Sequence, residues 1–174
     1  MATWKIDPAH SEVKFKVKHL VVSTVTGHFN HFQATIDETD GGFESARISF
    51  EADVDSVDTK NAQRDSHLKS ADFFDAANHP KLTFNSTSIT KSSDSNYTVL
   101  GNLTIRGTTR PVRLDVVHNG VVKGFGGGDV SGFEIAGKIN RRDFGLTWNG
   151  LTEAGGVVVS DDVTLEIFAE FTTA

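Results

Sequence analysis

Residues 13–19 read VKFKVKH. Val13, Phe15, Val17 and His19 fall on one side of an extended chain, and Lys14, Lys16 and Lys18 fall on the other. A period of two, with all the positive charge on one face, specifies a β-strand with one dry side and one wet side. The pattern recurs. Ala46, Ile48, Phe50, Ala52 and Val54 alternate with Arg47, Ser49, Glu51 and Asp53. Tyr97, Val99, Gly101, Leu103 and Ile105 share a face, as do Val112, Leu114, Val116 and His118. So do Phe133, Ile135, Gly137 and Ile139, and then Val163, Leu165, Ile167, Ala169 and Phe171. Thr3–Ile6 and the stretch opening at Leu82 and Phe84 are further strands. Val25–Ile36 is another, but Phe29 and Phe32 fall on opposite faces of a regular strand. A bulge near residues 27–32 would bring both inward.

The joins are short. Gly41-Gly42 marks a turn, and Arg106–Pro111 is a tight reversal with Gly107 at its centre. Asn119–Gly132 is rich in glycine and reads as a mobile hairpin loop. About eight strands without βαβ spacing make an all-β, antiparallel architecture. One apolar face per strand allows a sandwich or a closed barrel. A barrel of about eight strands is wide enough for side chains or one small apolar ligand. At 174 residues the chain is expected to be one domain, 1–174.

Residues 59–84, TKNAQRDSHLKSADFFDAANHPKLTF, break the pattern. The first half lacks Pro and Gly, which predicts one short helical segment over about residues 60–70. Arg64 and His67 then share a face. Either this is a solvated helix face with local ion pairs, or a polar cluster at the mouth of a cavity.

The formal net charge of −6 and the absence of a basic block exclude a polyphosphate surface, so no nucleic acid is expected. There is no Cys, which removes disulfides, thiolate catalysis and Cys-ligated zinc. The N-terminus, MATWKIDPAHSEV, has no basic start and no apolar run, so no signal peptide is visible and the expected location is cytoplasmic. No run reaches the roughly 20 apolar residues of a membrane span, so no stable membrane anchor is expected.

Among candidate chemistries, His28 and His31 are three apart and would face opposite ways on a strand. No metal site is expected. His10-Ser11 lacks the strand–turn–helix context of a nucleophile elbow. Asp7 and Ser11 instead suit side-chain bonds to a local turn. Gly126-Gly127-Gly128 is followed by neither Lys-Ser/Thr nor a helix, so it is not a phosphate loop. Arg141-Arg142-Asp143 suits a structural pair better than an anion site. The remaining signal is 13 Phe against 1 Tyr and 2 Trp, which favours a dry interior that is either a solid core or an apolar tunnel.

Five stretches in order resemble the YceI-like family of bacterial proteins. They are DPAHS at 7–11 leading to FKVKHL at 15–20, RDSHLKSADFFD at 64–75, PKLTF at 80–84, GNLTIRGTTRPV at 101–112 and INRRDFGL at 139–146. The resemblance implies an eight-stranded antiparallel, lipocalin-like barrel with an amphipathic helical segment against it. It implies a long apolar tunnel for a polyisoprenoid or similar amphiphile, such as a quinone or an isoprenyl diphosphate, with roles in transport, storage or sequestration and a link to stress. It also implies a homodimer. The function expected is binding without catalysis or cofactor. The tail would lie along Phe15, Val17, Ile48, Phe50, Phe84, Leu103, Ile105, Ile135, Ile139 and Phe144. The head group would meet His19, Arg64, His67 or Arg142 at the mouth. Two alternatives stand beside it: an enzyme acting on an isoprenoid or fatty chain, with His19, Asp65 or His67 as acid or base, and a solid-core barrel acting as a protein-interaction module.

Overall fold

The computed structural model describes residues 2–150 and 158–173. Its strands are β1 (Ala2–Ile6), β2 (Glu12–His19), β3 (Ser23–Phe29), β4 (Phe32–Thr39), β5 (Gly42–Asp53), β6 (Val57–Asp58), β7 (Lys81–Lys91), β8 (Asn96–Ile105), β9 (Thr108–Lys123), β10 (Asp129–Asn140) and β11 (Val159–Thr173). One α-helix, α1 (Ala62–Lys69), sits between β6 and β7.

All pairings are antiparallel, and β1-β4-β5-β7-β8-β9-β10-β11 closes into a ring through β1–β11. The remaining strands lengthen three of its walls. β2 pairs with β11 beyond the point where β1 leaves it, β3 pairs with β2, and β6 pairs with β3. Thus β1/β2, β3/β4 and β5/β6 are each one bent wall, and the eight walls follow one another in chain order as a closed, lipocalin-like barrel. Closure pairs the two ends of the eight-wall sheet, β1 and β11, with each other.

The bends follow from side-chain phase. Ile6 and Val13 both face inward, yet an odd separation would put them on opposite faces of one strand. A 3-10 turn at Pro8–His10 absorbs the extra residue. Asp7 caps it by accepting from the Ala9 amide at 3.0 Å. The Ser11 hydroxyl meanwhile accepts from the Glu170 amide at 3.0 Å, replacing a lost ladder bond. Phe29 and Phe32 are both buried, as the sequence requires. The device is a two-residue break at Asn30-His31 rather than a bulge. A 3-10 turn at Val54–Ser56 makes the third bend.

The turns alternate between two ends. The helix end carries α1 and the β2–β3, β8–β9 and β10–β11 connections, while the far end carries the β4–β5, β7–β8 and β9–β10 turns, the start of β1 and the end of β11. Arg106 and Gly107 both have positive φ, the backbone of a two-residue hairpin whose twist matches the flanking strands. The glycine-rich stretch 119–132 is more regular than its composition suggests. β9 runs to Lys123 and β10 begins at Asp129, because Gly120 and Gly132 pair across the ladder.

Outside the barrel, Lys14 and Lys16 reach Glu166 at 2.9 and 3.2 Å across the β2–β11 ladder. That contact is the wet side of the VKFKVKH alternation. Asn61 caps α1 by accepting from the Arg64 amide at 3.0 Å. No residue of α1 is fully buried, and Leu68 is its apolar contact with the core.

Candidate ligand-binding site

The inward faces of the walls enclose a cavity of about 130 Å³. Its lining draws on every wall, from Ile6 and Phe15 round to Leu165 and Phe171, and is aliphatic or aromatic apart from Lys14, whose ammonium lies outside on Glu166. Aromatic rings narrow it. Phe15 lies over Gly27, and Phe84 lies over Gly101, so the missing Cβ atoms are what admit the rings. At the helix end Phe74 packs edge-on to Phe29 at 5.8 Å, and Phe29 rests on Phe15 at 5.5 Å. Three rings in sequence close that end.

Of the expected tunnel residues, Phe15, Ile48, Phe50, Phe84, Leu103, Ile105, Ile135 and Ile139 line the cavity. Val17 shares the β2 face of Phe15 but lies beyond the lining, towards the hairpin. Phe144 is buried in the 3-10 turn Arg141–Phe144 at the helix end, off the cavity wall.

The expected mouth residues do not converge. His19 is exposed at the end of β2. Arg64 donates through Nε to Thr59 Oγ1 at 2.8 Å and through Nη2 to the Thr59 carbonyl at 2.7 Å. Asp65 accepts from the Thr59 amide and hydroxyl at 2.8 and 2.6 Å, so this pair anchors α1 to β6. His67 Nε2 lies 2.9 Å from Asp72, and its ring meets Trp148 edge-on at 4.7 Å. Arg142 pairs with Asp161 at 2.7 Å on the surface.

Its neighbour Arg141 is the buried one. The guanidinium donates to the carbonyls of Ser160, Leu146, Trp148 and Val159 at 2.9, 2.6, 2.8 and 3.3 Å. Desolvation lowers its pKa, and Arg142 pushes the same way. It is a clamp that ties residues 146–148 to β11, and nothing in the RRD triplet marks which arginine would turn inward.

Polar groups do reach the interior at the far end. His118 Nε2 and Ser131 Oγ are 2.8 Å apart, and the His118 ring stacks on Phe133 at 4.8 Å. Burial lowers the His118 pKa, against opposing pulls from Glu38 and the Gly120 backbone. Trp4 is buried, and its Nε1–H has no hydrogen-bond partner among the described residues. The alternation Val112, Leu114, Val116, His118 is the signal that places His118 inward. Ser131 is legible only as an odd-numbered companion of Phe133.

One group among the described residues could present three metal ligands within 4.8 Å of one another: Asp7, His10 and Glu170. Hydrogen bonding accounts for it. His10 Nδ1 lies 2.7 Å from Asp7 Oδ2, while Asp7 Oδ1 caps the turn. Among the same residues no helix is long and apolar enough to cross a membrane.

The YceI-like domain family matches the chain over residues 4–171. The UPF0312 protein SA2479 of Staphylococcus aureus (strain N315) is 38% identical over 172 residues, 98% of each chain. The crystal structure of the Campylobacter jejuni YCEI protein superposes with a TM-score of 0.76 at 36% identity, covering 94% of both chains. A polyisoprenoid binding domain from Saccharophagus degradans, implicated in plant cell wall breakdown, shares the fold at a TM-score of 0.69 and 15% identity, with full coverage of both chains.

Proposed function

Because the chain belongs to the YceI-like domain family, we propose that its barrel binds one long-chain apolar amphiphile, of the polyisoprenoid or quinone kind, for transport, storage or sequestration. The observation that carries this reading is the cavity walled on every side by aliphatic and aromatic groups. Each methylene moved into such a space from water contributes about 0.8 kcal/mol, so a chain needs no ionic anchor. The fold shared with a polyisoprenoid binding domain supports the same class of ligand. Catalysis is not part of the reading, since His19, Asp65 and His67 stand outside the cavity lining.

The size of the cavity adds a condition. About 130 Å³ suits a ring-sized fragment, whereas pockets for drug-sized ligands run from about 300 to 1,000 Å³. A long tail therefore requires the Phe15, Phe50 and Phe84 rings to swing aside and the Phe74 seal to lift. The same small volume favours the second reading, a filled barrel that acts through its outer surface.

Native mass spectrometry of protein purified without detergent, followed by solvent extraction, separates the two. A discrete adduct identified as an isoprenoid or other long-chain amphiphile is the expected result. A bare mass, with no uptake of added quinones or prenols, would leave the filled barrel standing and overturn the binding reading.

A further inference from the structure

The helix end, where cationic side chains cluster in sequence, holds them in local bonds with Thr59, Asp72 and Asp161. The far end is different. Ile6, Val116 and Phe171 line the cavity there, and each has a polar neighbour on the inward side. Trp4 is the next inward residue after Ile6 on β1. His118 is the next after Val116 on β9. Ser131 stands directly opposite Phe171 in the β10–β11 ladder. Trp4 and His118 thus lie one step beyond the lining, and Ser131 lies beside Phe171 with its hydroxyl on the His118 ring.

Resting on the lipid-binding reading above, we propose that these three side chains form a head-group subsite. Trp4, Ser131 and His118 there take a neutral hydroxyl or carbonyl head, so that the ligand lies with its head at the far end and its tail towards α1.

The hydrogen bonds already made there support the assignment. Trp4 is 7% exposed, and its indole N–H has no acceptor among the described residues. Leaving such a donor buried destabilises the fold, and a ligand oxygen would recover the lost hydrogen bond. Ser131 is 3% exposed, and among the described residues its hydroxyl meets the His118 ring. His118 also meets the Gly120 backbone, and its Nε2 lies 2.8 Å from Ser131 Oγ. The Ser131 oxygen keeps lone pairs to accept in turn. One donor and one acceptor match an alcohol, which accepts from Trp4 and donates to Ser131. A carbonyl uses the Trp4 donor alone. An anionic head fits poorly, because desolvation favours the neutral His118 ring and Glu38 adds negative potential beside it. The stacked rings of Phe43, His118 and Phe133 give a flat wall against which a quinone ring can lie.

The two tryptophans sit at opposite ends and report the ligand's direction. Trp4 is in the far-end layer, and Trp148 touches His67 at the helix end. Decylubiquinone is titrated into Trp148→Phe, which keeps Trp4, and into Trp4→Phe, which keeps Trp148. Binding is followed separately by native mass spectrometry. In parallel, phytol and its head-less counterpart phytane are compared on wild type, Ser131→Ala and Trp4→Phe. We expect the quinone to quench Trp4 by more than half and Trp148 only slightly. Ser131→Ala and Trp4→Phe should each weaken phytol about tenfold, the equivalent of one lost hydrogen bond, and leave phytane within about twofold. Quenching of Trp148 instead, or equal loss of phytol and phytane in both variants, would overturn the subsite while leaving the lipid-binding reading intact. If wild type takes up none of the three probes, the binding reading itself fails and the subsite falls with it.

Discussion

The ring of Phe15 occupies the space in which a side chain at Gly27 would begin: a Cβ on Gly27 would lie 2.1 Å from Phe15 Cζ. The two residues are direct cross-strand partners on β2 and β3. Gly27→Ala therefore forces the ring off its rotamer and into the cavity or the neighbouring Phe29. The expected cost is about 1–3 kcal/mol, the range for overpacked cores. A urea unfolding curve reads it, and a midpoint equal to wild type would mean that the ring has room to move.

The Phe84 ring likewise covers Gly101, its diagonal neighbour on β8, where a Cβ would fall 2.4 Å from Phe84 Cζ. Removing this ring widens the cavity. Phe84→Ala should destabilise by about 3–5 kcal/mol. It should also bind phytane more tightly than wild type does, because the tail no longer has to displace the ring. Loss of stability without gain in affinity would place the tail elsewhere.

Arg141, at 4% exposure, donates to four backbone carbonyls. Arg141→Leu leaves those acceptors without their donor and should cost about 3 kcal/mol in urea. Arg141→Lys should recover little of it, since one ammonium cannot span the fork's partners. Full recovery by lysine would mean that charge, not geometry, holds the 146–148 segment.

Two histidines should give opposite pH signatures. The hydrogen bond to Asp7 raises the His10 pKa, with Glu170 assisting, and the same bond is the main reason that Asp7 is lowered. The stabilisation is fully present below pH about 6.5 and fades as pH rises through the raised value of folded His10. On the acid side it is present above the ordinary Asp value of 3.8 and is lost as pH falls through the lowered value of folded Asp7. His118 is lowered by burial, so acidification through its ordinary range favours the unfolded chain. In melting temperatures, His10→Gln should lose more against wild type at pH 5.5 than at pH 8.5, and His118→Gln should lose less at pH 5.5 than at pH 8.5. Parallel profiles for all three proteins would contradict both assignments.

Most of the interior is legible in the sequence. Phe15, Phe50, Phe84, Leu103 and Ile135 are read inward from alternation alone, and the structure puts all five on the cavity lining. Polar roles are less legible, because a side chain's charge says nothing about which backbone it will meet. Arg64 meets Thr59, and Arg142 meets Asp161, through turns whose geometry no periodicity encodes. Trp4 reads as one more strand residue, and its N–H lacks a partner among the described residues only because the barrel closes around it.

The sequence by itself determined the all-β class, the dry face of each strand and the single helical departure at 59–84, because period two and turn chemistry are local properties of the chain. Tertiary structure alone decided that eight walls close into a ring, that the enclosed space is about 130 Å³, and that its polar layer lies at the end away from α1. Those facts depend on register and on the meeting of residues such as Phe171 and Ser131, distant in the chain, and local pattern carries no information about either.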